Sequence, residues 1–273
     1  MLLSCGGWRA EIAPEQGANI ICLQDAGTDV LAPLRASNED PFLVGSPLLF
    51  PANRTAGGKF RFEGEDYTLF VNEQKSGACL HGLLHDAPFS VLGQTQNSVR
   101  LAYQNVGELY PFPFRMEVLY TLTAEGLESQ YRLTNRSACA MPYCFGLHTT
   151  FCEPEEFSVP LGLCQQRDLQ TALPTGQLAA LSAEENAYCT GAVSRGHAVS
   201  GYYTAAGDTA RIGAYRYTVR GFDHWVLYNA RGSAGILCVE PQRGCVNALN
   251  LPNPPVVQPG EAAVFETRIT KSE

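Results

Sequence analysis

The sequence lacks the features that define several large classes of protein. Only 17% of its 273 residues are charged, no run of 18 apolar residues occurs, and lysine and arginine form no cluster. The missing apolar run excludes a transmembrane helix. A net charge of −8 without a basic patch argues against nucleic acids and anionic membrane surfaces as partners. With 45% hydrophobic residues, the chain is also too apolar to be disordered.

Motifs for nucleotides, metals and covalent catalysis are missing as well. The sequence has no Gly-x-Ser-x-Gly, no P-loop, and no Gly-x-Gly-x-x-Gly followed by a helical pattern. None of the ten cysteines forms a Cys-x-x-Cys pair. The first five residues have neither a basic region nor an apolar core, so they do not resemble a signal peptide. We therefore expect a cytoplasmic protein whose cysteines are reduced and mostly buried, with no metal and no cofactor.

The sequence is rich in the pattern of short strands. Apolar and polar residues alternate at 60–69, 99–103 and 262–269, and 114–133 has the pattern of a long antiparallel hairpin. The 26 glycines and 17 prolines supply turns. Helical signals are scarce, and the best candidate is 181–188, with Ser182 as N-cap and Glu185 at the capping-box position. The pattern predicts an all-β fold with few short helices.

Domain organisation follows from the absence of internal boundaries. At roughly 150 residues per domain the length suggests nearly two domains, but β-sandwiches often reach 200–250 residues as one unit. No linker separates two halves, and no repeat of 20–50 residues is present. We therefore expect residues 1–273 to form one large antiparallel β-sandwich, within which 155–200 is the least readable region.

The first candidate functional residues are an arginine and a histidine in apolar surroundings. Arg54 precedes a glycine pair, where a tight bend would hold it, although a surface arginine would give the same pattern. His81 precedes Gly82, which would let a ligand approach the backbone closely. Alternatively, His81 and His85 are structural histidines. Gly82 and Pro88 argue against a helix here, and so against a zinc site built on the two histidines.

The remaining candidates supply an acid–base pair and a further carboxylate. His148 stands among aromatic and small residues, so burial would shift its pKa, unless it is a structural histidine bonded to backbone. Glu240 ends the most apolar strand-like run, where it must be functional or paired with Arg54 or Arg243. Asp223, the further carboxylate, lies between His148 and Glu240 in the sequence. Together these groups favour proton transfer on a polar, neutral ligand.

Five short motifs occur along the chain in one order. They are Asn-Arg-x-Ala-Gly-Gly-Lys-Phe at 53–60, Leu-His-Gly at 80–82, Gly-Leu-His at 146–148, Gly-Phe-Asp-His at 221–224, and Glu-Pro-Gln at 240–242 with Asn-Ala-x-Asn at 247–250. In order and spacing they resemble the motifs of the aldose 1-epimerases, the galactose mutarotase-like proteins. The resemblance covers nearly the whole chain.

This resemblance implies both a fold and a reaction. The fold is the galactose mutarotase-like supersandwich, with a sugar site on the concave face of one sheet. Carried over by position, Glu240 is the general base, His148 the general acid, and Arg54, His81 and Asp223 bind sugar hydroxyls. The implied reaction interconverts the α- and β-anomers of a hexose by ring opening and reclosure, without metal or cofactor. We expect a small-molecule sugar as partner, and a monomer or a homodimer.

Departures from the family motifs leave the sugar open. Leu83 replaces a second glycine and Asn247 an aspartate, while the stretch Asp40–Asn53, with Phe50-Pro51, resembles a divergent bacterial branch. One alternative is a hexose-6-phosphate mutarotase, for which Arg243 is the obvious phosphate ligand. Another is a sugar-binding module without catalysis, which would need neither a base nor an acid. A glycosidase using Asp223 and Glu240 is a third, and it would leave the central histidine without a role.

Overall fold

Strands account for most of the regular structure in residues 1–34 and 40–272, which the computed structural model describes. In the first half of the chain they are β1 (Leu2–Cys5), β2 (Trp8–Ala13), β3 (Asn19–Asp25), β4 (Thr28–Asp29), β5 (Leu48–Leu49), β6 (Arg54–Thr55), β7 (Lys59–Phe62), β8 (Glu65–Thr68), β9 (Cys79–Leu80), β10 (Ser90–Gln94), β11 (Ser98–Asn105), β12 (Phe114–Leu122) and β13 (Gly126–Asn135). In the second half they are β14 (Met141–Pro142), β15 (Phe145–Leu147), β16 (Thr150–Cys152), β17 (Phe157–Ser158), β18 (Leu161–Arg167), β19 (Pro174–Ala179), β20 (Ser200–Ala205), β21 (Thr209–Ile212), β22 (Tyr215–Arg220), β23 (His224–Tyr228), β24 (Ile236–Arg243), β25 (Val256–Val257) and β26 (Ala262–Lys271).

Helices are short and few. The described residues contain one α-helix, α1 (Ala183–Thr190), and 3-10 turns at Pro41–Leu43, Ala56–Gly58, Leu84–Asp86, Ala230–Gly232 and Ala248–Asn250. Ser182 caps α1 by accepting a hydrogen bond from the Glu185 N–H, and the Glu185 carboxylate accepts one from the Ser182 N–H. The predicted capping box is confirmed. In the part of the chain that the structure describes, no helix has the length and apolar content needed to cross a bilayer.

Two eight-stranded antiparallel sheets form the body of the fold. Sheet A has the order β10-β11-β12-β13-β26-β22-β21-β17, and sheet B the order β19-β18-β20-β23-β24-β15-β5, with β16 also paired to β24. A separate four-stranded sheet runs β1-β2-β3-β4. The predicted hairpin is present as β12 and β13, which pair in register along the whole of β12. The prediction of an all-β, antiparallel fold is confirmed.

Sheets A and B pack face to face through aromatic side chains. The ring of Phe145 on β15 lies 4.7 Å from that of Phe265 on β26, and 5.7 Å from that of Tyr131 on β13, measured between centroids. One cluster of buried apolar side chains draws on both sheets and on β1–β3. The single-domain organisation stays a prediction, and this shared core is what favours it.

The cysteines form no disulfide, but they are less buried than the sequence predicts. None of the ten is in a disulfide, yet only Cys79, Cys144 and Cys238 are buried, while Cys139 is exposed and the other six are partly exposed. Several lie on strands whose second face meets solvent, as Cys22 does on β3. The expectation that most of them are buried is therefore wrong.

Gly126, which begins β13, tests how closely β13 and β26 are packed. Its φ is +152°, and a Cβ built on it would lie 2.0 Å from the Ile269 carbonyl oxygen. We expect Gly126→Ala to lower the free energy of unfolding by about 2–4 kcal/mol, because backbone strain and overlap add. Gly64 has φ +92° with no atom within 4 Å of such a Cβ, so Gly64→Ala should cost only about 1 kcal/mol. Equal losses in urea unfolding would contradict this packing.

Candidate active site

Glu240 lies inside β24, a long and almost wholly buried strand of sheet B. Every residue of β24 except Arg243 is buried, and the strand continues three residues beyond Glu240. The sequence placed this carboxylate at the end of the strand, whereas the structure places it in the interior. Neither Arg54 nor Arg243 forms an ion pair with it. Its partner is instead a histidine on the neighbouring chain segment.

His148 lies directly opposite Glu240 across the sheet. β15 and β16 pair with the two ends of β24 in one continuous antiparallel register, and His148 falls in the gap between them. The Val239 N–H still donates to the Thr149 carbonyl at 2.9 Å, but Pro241, the next residue facing the same neighbour, has no N–H to donate. This register brings Nε2 of His148 to 3.3 Å from Oε1 of Glu240.

Burial shifts the pKa of both members of this pair. Glu240 is 2% exposed and His148 is 5% exposed. Burial raises the pKa of Glu240 to about 8, against the opposing effects of a hydrogen bond from Gln242 and the charge of Arg54. Burial lowers the pKa of His148 to about 4, although hydrogen bonding of its ring to backbone, including Phe42, opposes the shift. Between these two pH values Glu240 is protonated and His148 is neutral. The pair then holds one titratable proton, on the carboxyl group.

Arg54 and His81 come from the paired strands β6 and β9 and their flanks. Asn53 and His81 both adopt left-handed backbone conformations, with φ of 56° and 61°. The His81 N–H donates to the Asn53 carbonyl at 2.8 Å. Asn247 braces the other side, because its N–H donates to the Arg54 carbonyl at 2.9 Å and its Oδ1 accepts from the Ala56 N–H at 2.9 Å. These bonds fix the backbone from which Arg54 projects.

Phe42, which the sequence did not single out, packs against three histidine rings. Its ring centroid lies 4.6 Å from that of His81, 4.6 Å from that of His85 and 5.8 Å from that of His148. Burial, together with the charges of neighbouring His148 and Arg54, holds the pKa of His81 well below its ordinary value. His81 is therefore neutral near pH 7, and a neutral imidazole has both a donor and an acceptor nitrogen.

Gly82 has a different role from the one expected of it. Its φ is +63°, and a Cβ built on it would lie 1.9 Å from the Phe50 carbonyl oxygen. The space beside this glycine is therefore filled by the protein backbone and not left open for a ligand. The glycine is required for the close approach of two chain segments.

One cavity collects four of the five predicted site residues. Arg54, His81, His148 and Glu240 line a cavity of about 630 Å³, a volume within the range of small-molecule sites. Its other polar and aromatic lining residues, which no sequence motif marks, include Asp40, Phe42, Glu73, Lys75, Arg167, Asp168, Tyr202, Tyr228 and Arg231. Another cavity, of about 450 Å³, lies on sheet A and contains no histidine. Among the described residues, no three histidine, cysteine or acidic side chains are grouped as a metal ion requires.

Asp223 does not line this cavity. Its Oδ2 accepts a hydrogen bond from Nη1 of Arg243 at 2.8 Å, and its Oδ1 accepts one from the Gly244 N–H at 2.9 Å. Oδ1 also lies 2.7 Å from Nδ1 of His224. The structure thus corrects the expectation that Asp223 shares one cavity with the other four residues. Its carboxylate instead binds groups at the end of β24. The same contact engages Arg243, which does not line the cavity either.

Solved structures with the same fold are galactose mutarotase-like proteins. The galactose mutarotase-like protein of Clostridium acetobutylicum matches with a TM-score of 0.91 at 20% identity, covering 100% of this chain and 94% of that one. The aldose epimerase homologue of C. elegans matches with a TM-score of 0.84 at 17% identity, covering 100% and 98%. At these identities the likeness shows the fold, and it confirms the predicted supersandwich.

The family follows from the sequence match. The family model of aldose 1-epimerases matches residues 6–270, and the chain belongs to that family. The uncharacterized protein YihR of Escherichia coli K12 is 32% identical over 148 residues, which are 54% of this chain and 48% of that protein. The uncharacterized protein YphB of the same organism is 27% identical over 149 residues, 55% of this chain and 50% of that one. The chain thus spans about half the length of the curated relatives it matches.

The raised pKa of Glu240, about 8, predicts a protonated carboxyl group near neutral pH. We expect an infrared difference spectrum between about pH 6 and about pH 10 to show a protonated-carboxyl band that disappears as the pH rises through this pKa. The band should be missing in Glu240→Gln and retained in Glu11→Gln, which alters an exposed carboxylate on β2. A wild-type spectrum without this band at the lower pH would mean that burial does not raise the pKa of Glu240 as described.

Proposed function

We propose that this protein interconverts the α- and β-anomers of a free hexose, with Glu240 as general base and His148 as general acid. The observation that carries the proposal is the 3.3 Å contact between Nε2 of His148 and Oε1 of Glu240 at the wall of one cavity. Anomerisation acts on two oxygens, the C1 hydroxyl and the ring oxygen, and both are bonded to C1. An acid and a base must therefore converge on a region a few ångströms wide, as these two groups do.

The proton count of the pair fits this reaction. Transfer of the Glu240 proton to His148 produces a carboxylate and an imidazolium, and the nearby charge of Arg54 favours the carboxylate. Glu240 then takes the proton of the C1 hydroxyl while His148 protonates the ring oxygen, and the bond between C1 and the ring oxygen breaks. Rotation about C1–C2 and the reverse proton transfers close the ring as the other anomer. The pair ends with the one proton it began with.

Arg54 and His81 complete the proposed sugar site. Both line the cavity beside the pair, and both carry N–H groups that can bind sugar hydroxyls. Asp223 is left out, because its oxygens are engaged by protein groups outside the cavity. The monomeric or dimeric state and the cytoplasmic location stay predictions from the sequence.

A hexose 6-phosphate is the second candidate substrate. Lys75, Arg167 and Arg231 line the same cavity, and in residues 1–34 and 40–272 none of the three has a carboxylate oxygen within 4.0 Å. Asp40 and Asp168 line it too, so its charge is mixed and a neutral hexose is the first choice. Both kinds of sugar belong in the first substrate panel.

Removing either member of the pair should abolish most of the catalysis. We expect Glu240→Gln and His148→Asn each to lower the rate of anomerisation by about 10²–10⁴-fold, the usual contribution of a positioned acid or base. The measurement is polarimetry or NMR of freshly dissolved α-glucose, α-galactose and their 6-phosphates, with the spontaneous rate subtracted.

Asp223→Asn is the matched carboxylate control for these variants. Because Asp223 lies outside the cavity, this variant should keep the wild-type kcat and KM while losing thermal stability. If Glu240→Gln equals wild type on every sugar, the catalytic proposal fails and a binding module on the same fold replaces it.

The dependence of kcat/KM on pH should be bell-shaped, with limbs near 4 and 8. Catalysis needs one proton on the pair, because one group must donate while the other accepts. The pKa of His148 is lowered to about 4, so below that pH the pair gains a second proton and has no base. The pKa of Glu240 is raised to about 8, so above that pH the pair loses its proton and has no acid. A rate that stays level from about pH 3 to about pH 10 would contradict this assignment.

A further inference from the structure

The guanidinium of Arg54 is already bound on all three nitrogens before any sugar enters. Nε donates to Oε2 of Glu73 at 2.7 Å, and Nη2 donates to Oε1 of the same carboxylate at 2.6 Å. Nη1 donates to the Tyr202 hydroxyl at 3.0 Å and to Oδ1 of Asn53 at 3.3 Å. A guanidinium has five N–H donors, so four protein contacts leave one N–H and the positive charge for a ligand.

The carboxylate of Glu73 is itself fixed by the loop between β8 and β9. Glu73 and Ala78 exchange backbone hydrogen bonds of 3.1 and 3.2 Å, which close the turn 73–78. Inside that turn the Ser76 hydroxyl donates to Oε2 of Glu73. Burial would raise the pKa of Glu73, but the hydrogen bonds from Arg54 and Ser76 outweigh it and hold the pKa below its usual value. The group is therefore an anion throughout the neutral range.

Tyr202 supports the same guanidinium from sheet B. It lies on β20 and is 4% exposed. Its hydroxyl accepts from Arg54 and donates to the Ala172 carbonyl at 3.3 Å, so it links Arg54 to the turn between β18 and β19. The guanidinium carbon of Arg167 lies 4.8 Å from the centroid of its ring. Arg54 is thus held between two chain segments that are distant in sequence.

We propose that Glu73 and Tyr202 are positioning residues that orient Arg54 for sugar binding, a proposal that rests on the function proposed above. Neither residue is part of the acid–base pair. Their contribution is to restrict the rotamers of a long side chain in advance, so that ordering it does not weaken the binding of the sugar. The bidentate, charge-assisted contact with Glu73 is the stronger of the two.

A substitution at position 73 should therefore change sugar binding and leave the chemical step intact. We expect Glu73→Gln to raise KM about tenfold and to leave kcat within about twofold, because it removes the charge and one of the two hydrogen bonds. Tyr202→Phe removes one neutral hydroxyl and should raise KM about threefold. Glu65→Gln makes the same chemical change on the exposed strand β8, and it should match the wild type.

A double-mutant cycle separates positioning from a purely structural role. If Glu73 acts through Arg54, Glu73→Gln should have no further effect on KM in an Arg54→Ala background. The same fold-change in both backgrounds, or no change in KM in the wild-type background, would overturn the proposal. If Glu73→Gln does not fold, as judged by circular dichroism, Glu73→Asp takes its place, because it keeps the charge and shortens the reach by one methylene.

A readout that needs no activity distinguishes failure of this proposal from failure of the proposed reaction. In ¹H–¹⁵N NMR spectra, the Nε–H signal of Arg54, identified by its loss in Arg54→Lys, should exchange slowly with solvent in the wild type. It should exchange at least about tenfold faster in Glu73→Gln. Equal exchange rates would overturn the positioning role even if the enzyme is active. Slow exchange in the wild type without anomerisation of any sugar would reject the reaction and leave the orientation of Arg54 established.

Discussion

The buried contact between Glu240 and His148 sets what the rest of the structure must provide. Burial destabilises the charged forms of both groups, so near pH 7 Glu240 is protonated, His148 is neutral, and one proton is available for transfer between them. Here they meet as opposite residues of neighbouring segments in one antiparallel register. A slip of one residue would turn His148 to the other face of the sheet, so the pair depends on that register.

The remainder of the fold holds this register and surrounds the pair with selective groups. Aromatic side chains of sheet A pack against Phe145 of β15, which keeps this strand in place. Pro241 has no N–H to donate. It therefore interrupts the hydrogen bonding between the two neighbouring segments beside the pair. Asn53 and His81, which flank the short strands β6 and β9, adopt left-handed backbone conformations and line the cavity. The loops contribute the charged lining, including Glu73, whose carboxylate holds Arg54.

Sequence patterns were informative wherever the signal is local. The alternation at 114–133 predicted β12 and β13, and the spacing of Ser182 and Glu185 predicted the cap of α1, because each depends on contacts within a few residues. The order of the motifs and their residue types also identified four candidate residues that line one cavity in the structure. The failures involve contacts distant in sequence. Gly82 accommodates another backbone segment, and Asp223 binds the end of β24, and no pattern around either residue indicates this.

The sequence by itself determined the all-β class, the turns, the family resemblance and the residue types able to move a proton, because strand periodicity and side-chain chemistry are local properties. Only the tertiary structure decided which of those residues share a cavity and in which protonation state. That Glu240 is protonated and His148 neutral near pH 7 depends on burial by strands from across the chain. Burial and register arise from the packing of two sheets, so no short stretch of sequence contains them.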